Sequence, residues 1–260
     1  AMDLESAIFQ ERGVTMFALS AIAASTGQPE GEEDLSLSGR WEPPAIDGSG
    51  RPVDLHFDVE AHRYGWAGLW MRFFSAQPSF NAIAYQIIRR PAFTDSDVPR
   101  YLLHRAVVRQ DHTMVAGHDI TAANYSATTK SDVDAGNVTS PRVSLVLLEN
   151  VVDFGVRLYV YDPNAFATDD TPRGLRLIFP SKNNEDLDDE ERVYEGNSRH
   201  GGFSSRYPDV VEIYLRVLDQ EGADALYRAE EIEPGESYES IVEKHGRVYR
   251  RMVRIPAADS

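Results

Sequence analysis

The sequence predicts an α+β fold in which an N-terminal helix packs on antiparallel β-sheet. Apolar residues recur at helical spacing in residues 3–25, whereas apolar and polar residues alternate along most segments after residue 34. Clusters of Gly, Pro, Asp and Ser separate the alternating segments, as is typical of strands joined by turns. We therefore expect residues 1–27 to form a helix and residues 28–260 to form a single β-rich domain.

Composition limits the chemistry and the partners of the chain. Its 260 residues are enough to bury a sizeable core without a disulfide or a metal ion. The absence of cysteine excludes thiol nucleophiles and cysteine-ligated zinc but leaves the redox compartment open. The 26 Lys and Arg against 42 Asp and Glu give a formal net charge of -16, which repels phosphate backbones and anionic lipids. We therefore expect no nucleic-acid partner.

The predicted N-terminal helix has acidic residues, Asp3 and Glu5, near its start, where the helix dipole favours negative charge. Gly13 weakens its middle by about 1 kcal/mol relative to alanine. The apolar residues at helical spacing are Leu4, Ala7, Ile8, Phe17, Leu19, Ile22 and Ala23. The chain contains no apolar run long enough to cross a bilayer, and Ala1 before Met2 is typical of an expression remnant. A start of this kind leaves open that an export or anchoring segment preceded Met2.

Alternating segments in the first half of the chain predict five strands. They cover residues 35–42, 53–59, 68–75, 82–90 and 101–109. In the third segment Trp70 and Phe74 make the strand apolar on both faces, which is typical of a central or covered strand. Residues 111–141 are polar and without sustained periodicity, which indicates a long excursion between strands.

The second half of the chain predicts more strands. Residues 143–152 and 154–161 are expected to pair with each other, and a strand over 174–179 follows them. Residues 181–202 are the most hydrophilic stretch and predict a solvated loop.

The last fifty residues predict one structural unit. A strand over residues 207–218 is followed by short helices over 222–229 and 237–245 and by a basic closing strand over 247–255. Along the first of these strands, one face is apolar, and the other face, with Glu212, Tyr214 and Arg216, is expected to point away from the core. The arginines of the closing strand indicate salt bridges with the neighbouring glutamates or contact with a partner.

Acidic clusters are the candidates for a metal site. Calcium takes six to eight oxygen ligands, and two clusters offer carboxylates for it. The weak calcium candidates are Asp132, Asp134, Glu185, Asp186, Asp188 and Asp189. Neither cluster matches the EF-hand pattern, so the expectation is no cofactor, with Ca²⁺ as the open alternative.

The histidines do not form a recognised ligand motif. His112 and His118 are six residues apart, with Asp111 and Asp119 beside them, and we interpret them as solvated loop residues. His104 and His245 stand alone in their segments, so we expect surface positions for both.

Catalytic motifs are missing from the sequence. It contains no G-x-S-x-G elbow, no P-loop and no G-x-G-x-x-G. The aromatic residues Trp66, Trp70, Phe73 and Phe74 could form a sugar-stacking platform, but strand spacing favours a place in the core. We predict no catalytic residue and no enzymatic activity.

The order of the late segments resembles that of a known family. A Leu- and Val-rich run over residues 143–152 precedes an aromatic-ended strand up to Tyr159. The Pro-led alternating strand over 207–215 and the Arg-rich strand over 248–253 then follow. This pattern is similar to that of the minor pseudopilins of type II secretion systems and of type IV pilin-like proteins. The resemblance covers about the last 120 residues.

The resemblance implies a non-enzymatic subunit that assembles in a pilus-like complex at the cell envelope. It implies other pseudopilin subunits, and exported protein cargo, as partners, and a periplasmic domain anchored in the inner membrane by a methylated N-terminal helix. The chain departs from the family because the apolar membrane helix is missing, so residues 3–25 would be the remainder of the stalk helix.

Two alternatives stay open. One is a secreted carbohydrate-active or carbohydrate-binding β-sandwich that uses Trp66, Trp70 and acidic residues from loops. The other is a calcium-dependent adhesion module that uses the acidic clusters.

Overall fold

Two antiparallel sheets dominate the part of the protein that the structure describes. The computed structural model describes residues 17–21, 69–75, 80–92, 98–118, 143–166, 172–179, 193–196, 206–232, 236 and 238–255. Strands make up 58% of this part of the chain, and helices are few. The predicted α+β fold, with an N-terminal helix packed on antiparallel sheet, is therefore wrong, because strands in two antiparallel sheets dominate the described residues.

The first sheet has six strands, in the order β5-β4-β3-β2-β1-β8, all paired antiparallel. Its strands are β1 Phe17–Ala21, β2 Leu69–Ser75, β3 Asn81–Pro91, β4 Pro99–Val108, β5 Val146–Glu149 and β8 Val193–Gly196. Its central strands are buried on both faces, as the pattern of residues 68–75 predicts, although polar Arg72 and Gln86 are among the buried residues. Phe73 and Phe74, which follow each other in β2 and so point to opposite faces, are both fully buried.

The second sheet has four strands, in the order β10-β9-β6-β7, also antiparallel. Its strands are β6 Val151–Tyr161, β7 Leu175–Phe179, β9 Val210–Leu218 and β10 Gly246–Arg254. The helices of the described residues are α1 Gln110–Ala116, α2 Gln220–Glu231 and α3 Tyr238–His245, and a short 3-10 turn covers Val143–Leu145. Sequential strands β9 and β10 pair with each other, so α2 and α3 form the connection between two neighbouring strands.

The predicted N-terminal helix is wrong where the structure describes it. Residues Phe17–Ala21 form β1, which pairs with β2 on one side and β8 on the other. Phe17 lies opposite Phe73, and Leu19 lies opposite Met71. The sequence Phe-Ala-Leu-Ser-Ala fits a period of two as well as a helical period, and pairing with two distant strands decides between them. The other residues of the predicted helix lie outside the described part of the chain.

The predicted pair of strands around residue 150 is also wrong. Strand β5 joins the first sheet through β4, whereas β6 joins the second sheet between β7 and β9. Asn150 stands between them with φ of 60°, a left-handed conformation that Asn tolerates better than most residues. The chain therefore crosses from one sheet to the other at this residue.

Several other strand predictions are confirmed. Strands β2, β3, β4 and β7 agree with the alternating segments to within two residues. The predicted solvated loop over 181–202 is wrong at residues 193–196, which form β8. The predicted strands over 35–42 and 53–59 lie outside the described residues.

The larger of two hydrophobic clusters in the described residues extends over both sheets and the C-terminal helices. It includes Met71 and Phe73 of the first sheet, Phe154 and Val211 of the second, and Leu226 of α2. Where β7 and β8 approach each other, the rings of Phe179 and Tyr194 are 6.0 Å apart. Burial raises the pKa of the Tyr194 phenol, so this hydroxyl stays protonated in the core.

Asp219 joins the ends of β9, α2 and α3. Its carboxylate accepts a hydrogen bond from the backbone N–H of Gly222 at 2.8 Å and so caps the first turn of α2. Its Oδ1 also lies 3.2 Å from Nδ1 of His245, the last residue of α3. The backbone N–H of Gly222 and the imidazole of His245 lower the pKa of the Asp219 carboxyl from its ordinary value of 3.8. His245 is buried, which corrects the expected surface position.

Gly222 permits the close approach of the two helices. A Cβ atom at this position would meet the Cβ of His245 closer than van der Waals radii allow. Because the colliding atom belongs to the base of a side chain, relief requires movement of α3 itself.

We predict that Gly222→Ala destabilises the protein, although alanine is the better helix former. Overpacking of this kind costs about 1–3 kcal/mol, whereas the gain in helix propensity is about 1 kcal/mol. Urea denaturation measures the change in the free energy of unfolding. Glu221→Ala is the matched control, because Glu221 is exposed in the same turn. An unchanged or higher midpoint for Gly222→Ala would contradict the close packing.

We predict that Asp219→Asn lowers stability at neutral pH and that the difference from wild type vanishes in acid. Asparagine still accepts the cap hydrogen bond but carries no charge toward His245. Because the folded-state pKa of Asp219 is lowered, its charged form stabilises the protein above pH 3.8, and this contribution is lost as pH falls through the folded-state pKa. Melting temperatures of both proteins between pH 2 and pH 7 test this. A constant difference over that range would refute the role of the charge.

Candidate interaction surface on the last strand

The polar face of β9 is covered, contrary to the expectation that it points away from the core. Glu212 and Tyr214 are each only 2% exposed. In the register of the sheet, Glu212 lies opposite Arg157, and Arg216 lies opposite Asp153. Residues opposite each other on paired strands share a face, so this face of the sheet holds buried charges of both signs.

Glu212 connects three neighbouring strands. The hydroxyl of Tyr159 on β6 donates a hydrogen bond of 2.9 Å to its Oε2, and Nη1 of Arg157 lies 3.9 Å from the same oxygen. Nε of Arg250 on β10 donates to its other oxygen, Oε1. A buried carboxylate is tolerated only when it is paired and hydrogen-bonded, and these three contacts satisfy both needs.

A second buried pair extends this arrangement along the same face. Nη1 of Arg216 lies 3.9 Å from Oδ2 of Asp153, which is fully buried. The guanidinium of Arg216 also lies over the ring of Tyr214, 5.6 Å from its centroid. These charge pairs therefore fix the register of β6, β9 and β10, because a slip by one residue would move the charged side chains to the apolar face of the sheet.

The side chains of β10 form the exposed counterpart of this buried face. Seven of its nine residues are exposed: Arg247, Val248, Tyr249, Arg250, Arg251, Met252 and Arg254. The apolar members among them are large, with Val248 at 53%, Tyr249 at 56% and Met252 at 44% exposure. No acidic residue occurs in this strand. We call these seven residues the β10 surface.

The backbone of β10 is paired on one side only in the described sheet, because β10 is its first strand. At one end the N–H of Ile255 donates to the C=O of Asp209, and at the other the N–H of Asp219 donates to the C=O of His245. The register of β10 on β9 has no shift between these points, so the backbone N–H and C=O groups of residues 247, 249, 251 and 253 point toward β9. The N–H and C=O groups of Val248, Arg250, Met252 and Arg254 therefore point away from the sheet.

A cavity near this unit is too small for a substrate. It lies between β4, β6 and α2, with Arg100, Asn150, Leu218, Ala223 and Tyr227 in its lining, and has a volume of about 10 Å³. That is room for about one water molecule, whereas ligand pockets are about 300–1,000 Å³. Its amide acceptor, Oδ1 of Asn150, is buried without a hydrogen bond, so an ordered water fits this cavity.

The candidate metal ligands are not brought together in the described part of the chain. Asp132, Asp134, Glu185, Asp186, Asp188 and Asp189 all lie outside it. Within it, no three His, Asp or Glu side chains form a group that could bind a metal ion.

The histidines of the described residues have structural contacts. His112 lies in α1, 3.9 Å from the carboxylate of Asp111, and the ring of His118 contacts Phe80 edge-on at 5.4 Å. His104 is fully buried in β4, with Nδ1 2.8 Å from the C=O of Leu102, which corrects its expected surface position.

The aromatic residues proposed for sugar stacking belong to the core as far as the structure describes them. Phe73 and Phe74 are fully buried, which confirms that interpretation. The side chain of Trp70 and all of Trp66 lie outside the described residues.

Sequence reasoning missed the buried network around Glu212 because strand alternation assigns Glu, Tyr and Arg to solvent. One signal was available: Arg157 and Asp153 interrupt an otherwise apolar strand at the spacing that matches Glu212 and Arg216 on β9. Complementary charges at matching spacing on two strands predict a paired polar face.

We predict that Glu212→Ala destabilises the protein strongly, whereas Arg250→Ala has a smaller effect. Removal of Glu212 leaves Arg157 buried without its carboxylate, and breaking a buried ion pair costs about 3–5 kcal/mol. In Arg250→Ala the buried carboxylate of Glu212 keeps Tyr159 and Arg157 as partners, and the side chain that is lost is itself 51% exposed. Denaturation by urea gives both values. Equal losses for the two variants would show that burial of the pair is not the reason.

Comparisons with family models, with curated proteins and with solved structures find no match to this chain. The similarity to minor pseudopilins thus stays a prediction from the strand pattern of the last 120 residues. Within the described residues, the basis for an inference about function is the exposed strand β10 together with the buried network around Glu212.

Proposed function

We propose that this protein is a non-enzymatic assembly subunit that binds other proteins through the β10 surface. The observation that carries the proposal is the combination of exposed Val248, Tyr249 and Met252 with four arginines on one strand. Aromatic residues, Met and Arg are the side chains enriched at protein interfaces. Arg250 also connects the strand to buried Glu212 on the neighbouring strand.

The pilus-like form of this proposal rests on the C-terminal unit. Strands β6, β9 and β10 occupy the segments that resemble the minor pseudopilins, which supports placement in a pseudopilus or a related envelope complex. The part of the resemblance that required an N-terminal helix does not support it, because residues 17–21 form a strand. Other pseudopilin subunits and exported protein cargo are the partners that this proposal names.

Localisation at the cell envelope is a further part of the proposal. Among the described residues, no helix combines the length and the hydropathy needed to cross a bilayer. On this proposal the described sheets lie on the periplasmic side of the inner membrane.

A carbohydrate-binding β-sandwich is the second candidate, and the pair of antiparallel sheets favours it. Sheets that share one core are the architecture which that alternative requires. Fold alone does not decide function, however, and the candidate depends on Trp66 and Trp70 lining an open groove. Calorimetric titration of wild type and Trp70→Ala with oligosaccharides tests this candidate. A sugar-binding protein would bind the oligosaccharides in its wild-type form and lose this binding in the variant, whereas an assembly subunit would bind them in neither form.

We predict that a photoreactive amino acid at Tyr249 crosslinks the full-length protein to another envelope subunit in its native cells. The same group at Val115 is the matched control, because Val115 is 86% exposed on α1 and outside the β10 surface. Mass spectrometry identifies the adduct. Equal crosslinking at both positions, or a gene that encodes a cleavable signal peptide directly upstream of Met2, would overturn the proposal.

A further inference from the structure

We infer that the outer edge of β10 pairs with an extended, acidic segment of a partner protein, which adds a fifth strand to the β10-β9-β6-β7 sheet. This inference rests on the proposed assembly function and specifies how the partner binds. Addition of a strand to an open sheet edge provides affinity through the main chain and specificity through alternate side chains.

The backbone of β10 offers the required hydrogen-bonding groups. The outward groups of Val248, Arg250, Met252 and Arg254 form a row over seven residues of regular strand, without a proline or a register shift. In the described sheet no strand pairs with this side. An edge of this length and regularity is a template for pairing.

The side chains define the chemistry of the partner. On one face of the sheet Val248, Arg250, Met252 and Arg254 alternate between apolar and basic, and on the other Arg247 and Arg251 flank Tyr249. Both faces repeat an arginine every four residues. The complementary strand thus carries carboxylates four residues apart on each face, with apolar side chains between them.

A second copy of β10 is the wrong occupant. Two such strands would bring eight arginines together, and like charges opposite each other on neighbouring strands are destabilising. Charged edge residues also protect sheets against pairing with copies of themselves. The arginines therefore disfavour pairing with a second copy of this chain and favour pairing with an acidic partner. Specificity between the two arises from the repulsion as well as from the attraction.

The test uses the purified chain and a synthetic probe. The probe is a nine-residue peptide, capped at both ends, with glutamates at the positions that face the four arginines and valine or threonine elsewhere. A control peptide has glutamine in place of each glutamate. We expect the acidic peptide to bind, the control to bind at least about tenfold more weakly, and added salt to weaken the acidic peptide only.

Hydrogen exchange gives the readout that distinguishes strand pairing from surface attraction. In the free protein the amides of Tyr249, Arg251 and Val253 should exchange slowly and those of Val248, Arg250 and Met252 rapidly. Bound peptide should slow the second set. Slow exchange of the second set in the free protein would overturn the inference, because the edge would already be covered. Peptide binding that leaves the second set unprotected would also overturn it.

Met252→Pro is the blocking variant, and Met252→Val is its matched control. Proline removes an outward N–H without breaking the ladder to β9, whereas valine keeps the N–H and the β propensity. We expect about tenfold weaker peptide binding for Met252→Pro and no loss for Met252→Val. If Met252→Pro unfolds, hydrogen exchange of the wild-type protein still decides.

The failure of this inference and the failure of the proposed function give different results. If the peptide does not bind and Met252→Pro still crosslinks to its partner in cells, the inference about the β10 edge is wrong but the assembly function stands. If the peptide binds and protects the edge amides but no crosslinked assembly forms in cells, the inference about the edge stands and the assembly function is wrong.

Discussion

The carboxylate of Glu212 is the constraint on which the second sheet depends. It accepts hydrogen bonds from Tyr159 on β6 and from Arg250 on β10 while it lies opposite Arg157. A charge that is removed from water must keep all of these partners, so any shift of one strand would leave it unsatisfied. One side chain of β9 therefore connects this strand to both of its neighbours, and the position of β10 depends on that buried carboxylate.

The sequence was sufficient to predict most individual strands but not their partners. Alternation located β3 and β4 to within two residues, because burial of one or both faces imposes the period directly on the chain. The partners of β5 and β6 depended on one backbone conformation, at Asn150, that sends the chain from one sheet to the other. A single left-handed residue leaves no periodic signal, so the two strands were predicted to pair.

The N-terminal segment and the polar face of β9 show the second limit of sequence reasoning. Five residues such as Phe17–Ala21 carry little local preference, and their state is decided by β2 and β8, which are distant in sequence. Likewise Glu212 is buried and Arg216 is half-buried although both are charged, since each has an opposite charge on β6. Both errors arose because long-range pairing outweighed the local pattern.

An assembly function is physically consistent with the way charge is distributed. The chain carries a net charge of -16, yet its last strand contains four arginines and no acidic residue. Mutual repulsion between acidic molecules limits association to surfaces where the sign is locally reversed. The β10 surface is such a place: Arg250 pairs with the buried carboxylate of Glu212, and all four arginines of the strand are exposed. A partner with acidic side chains would thus be attracted to a strand at a sheet edge, whose outer backbone groups are able to pair with it.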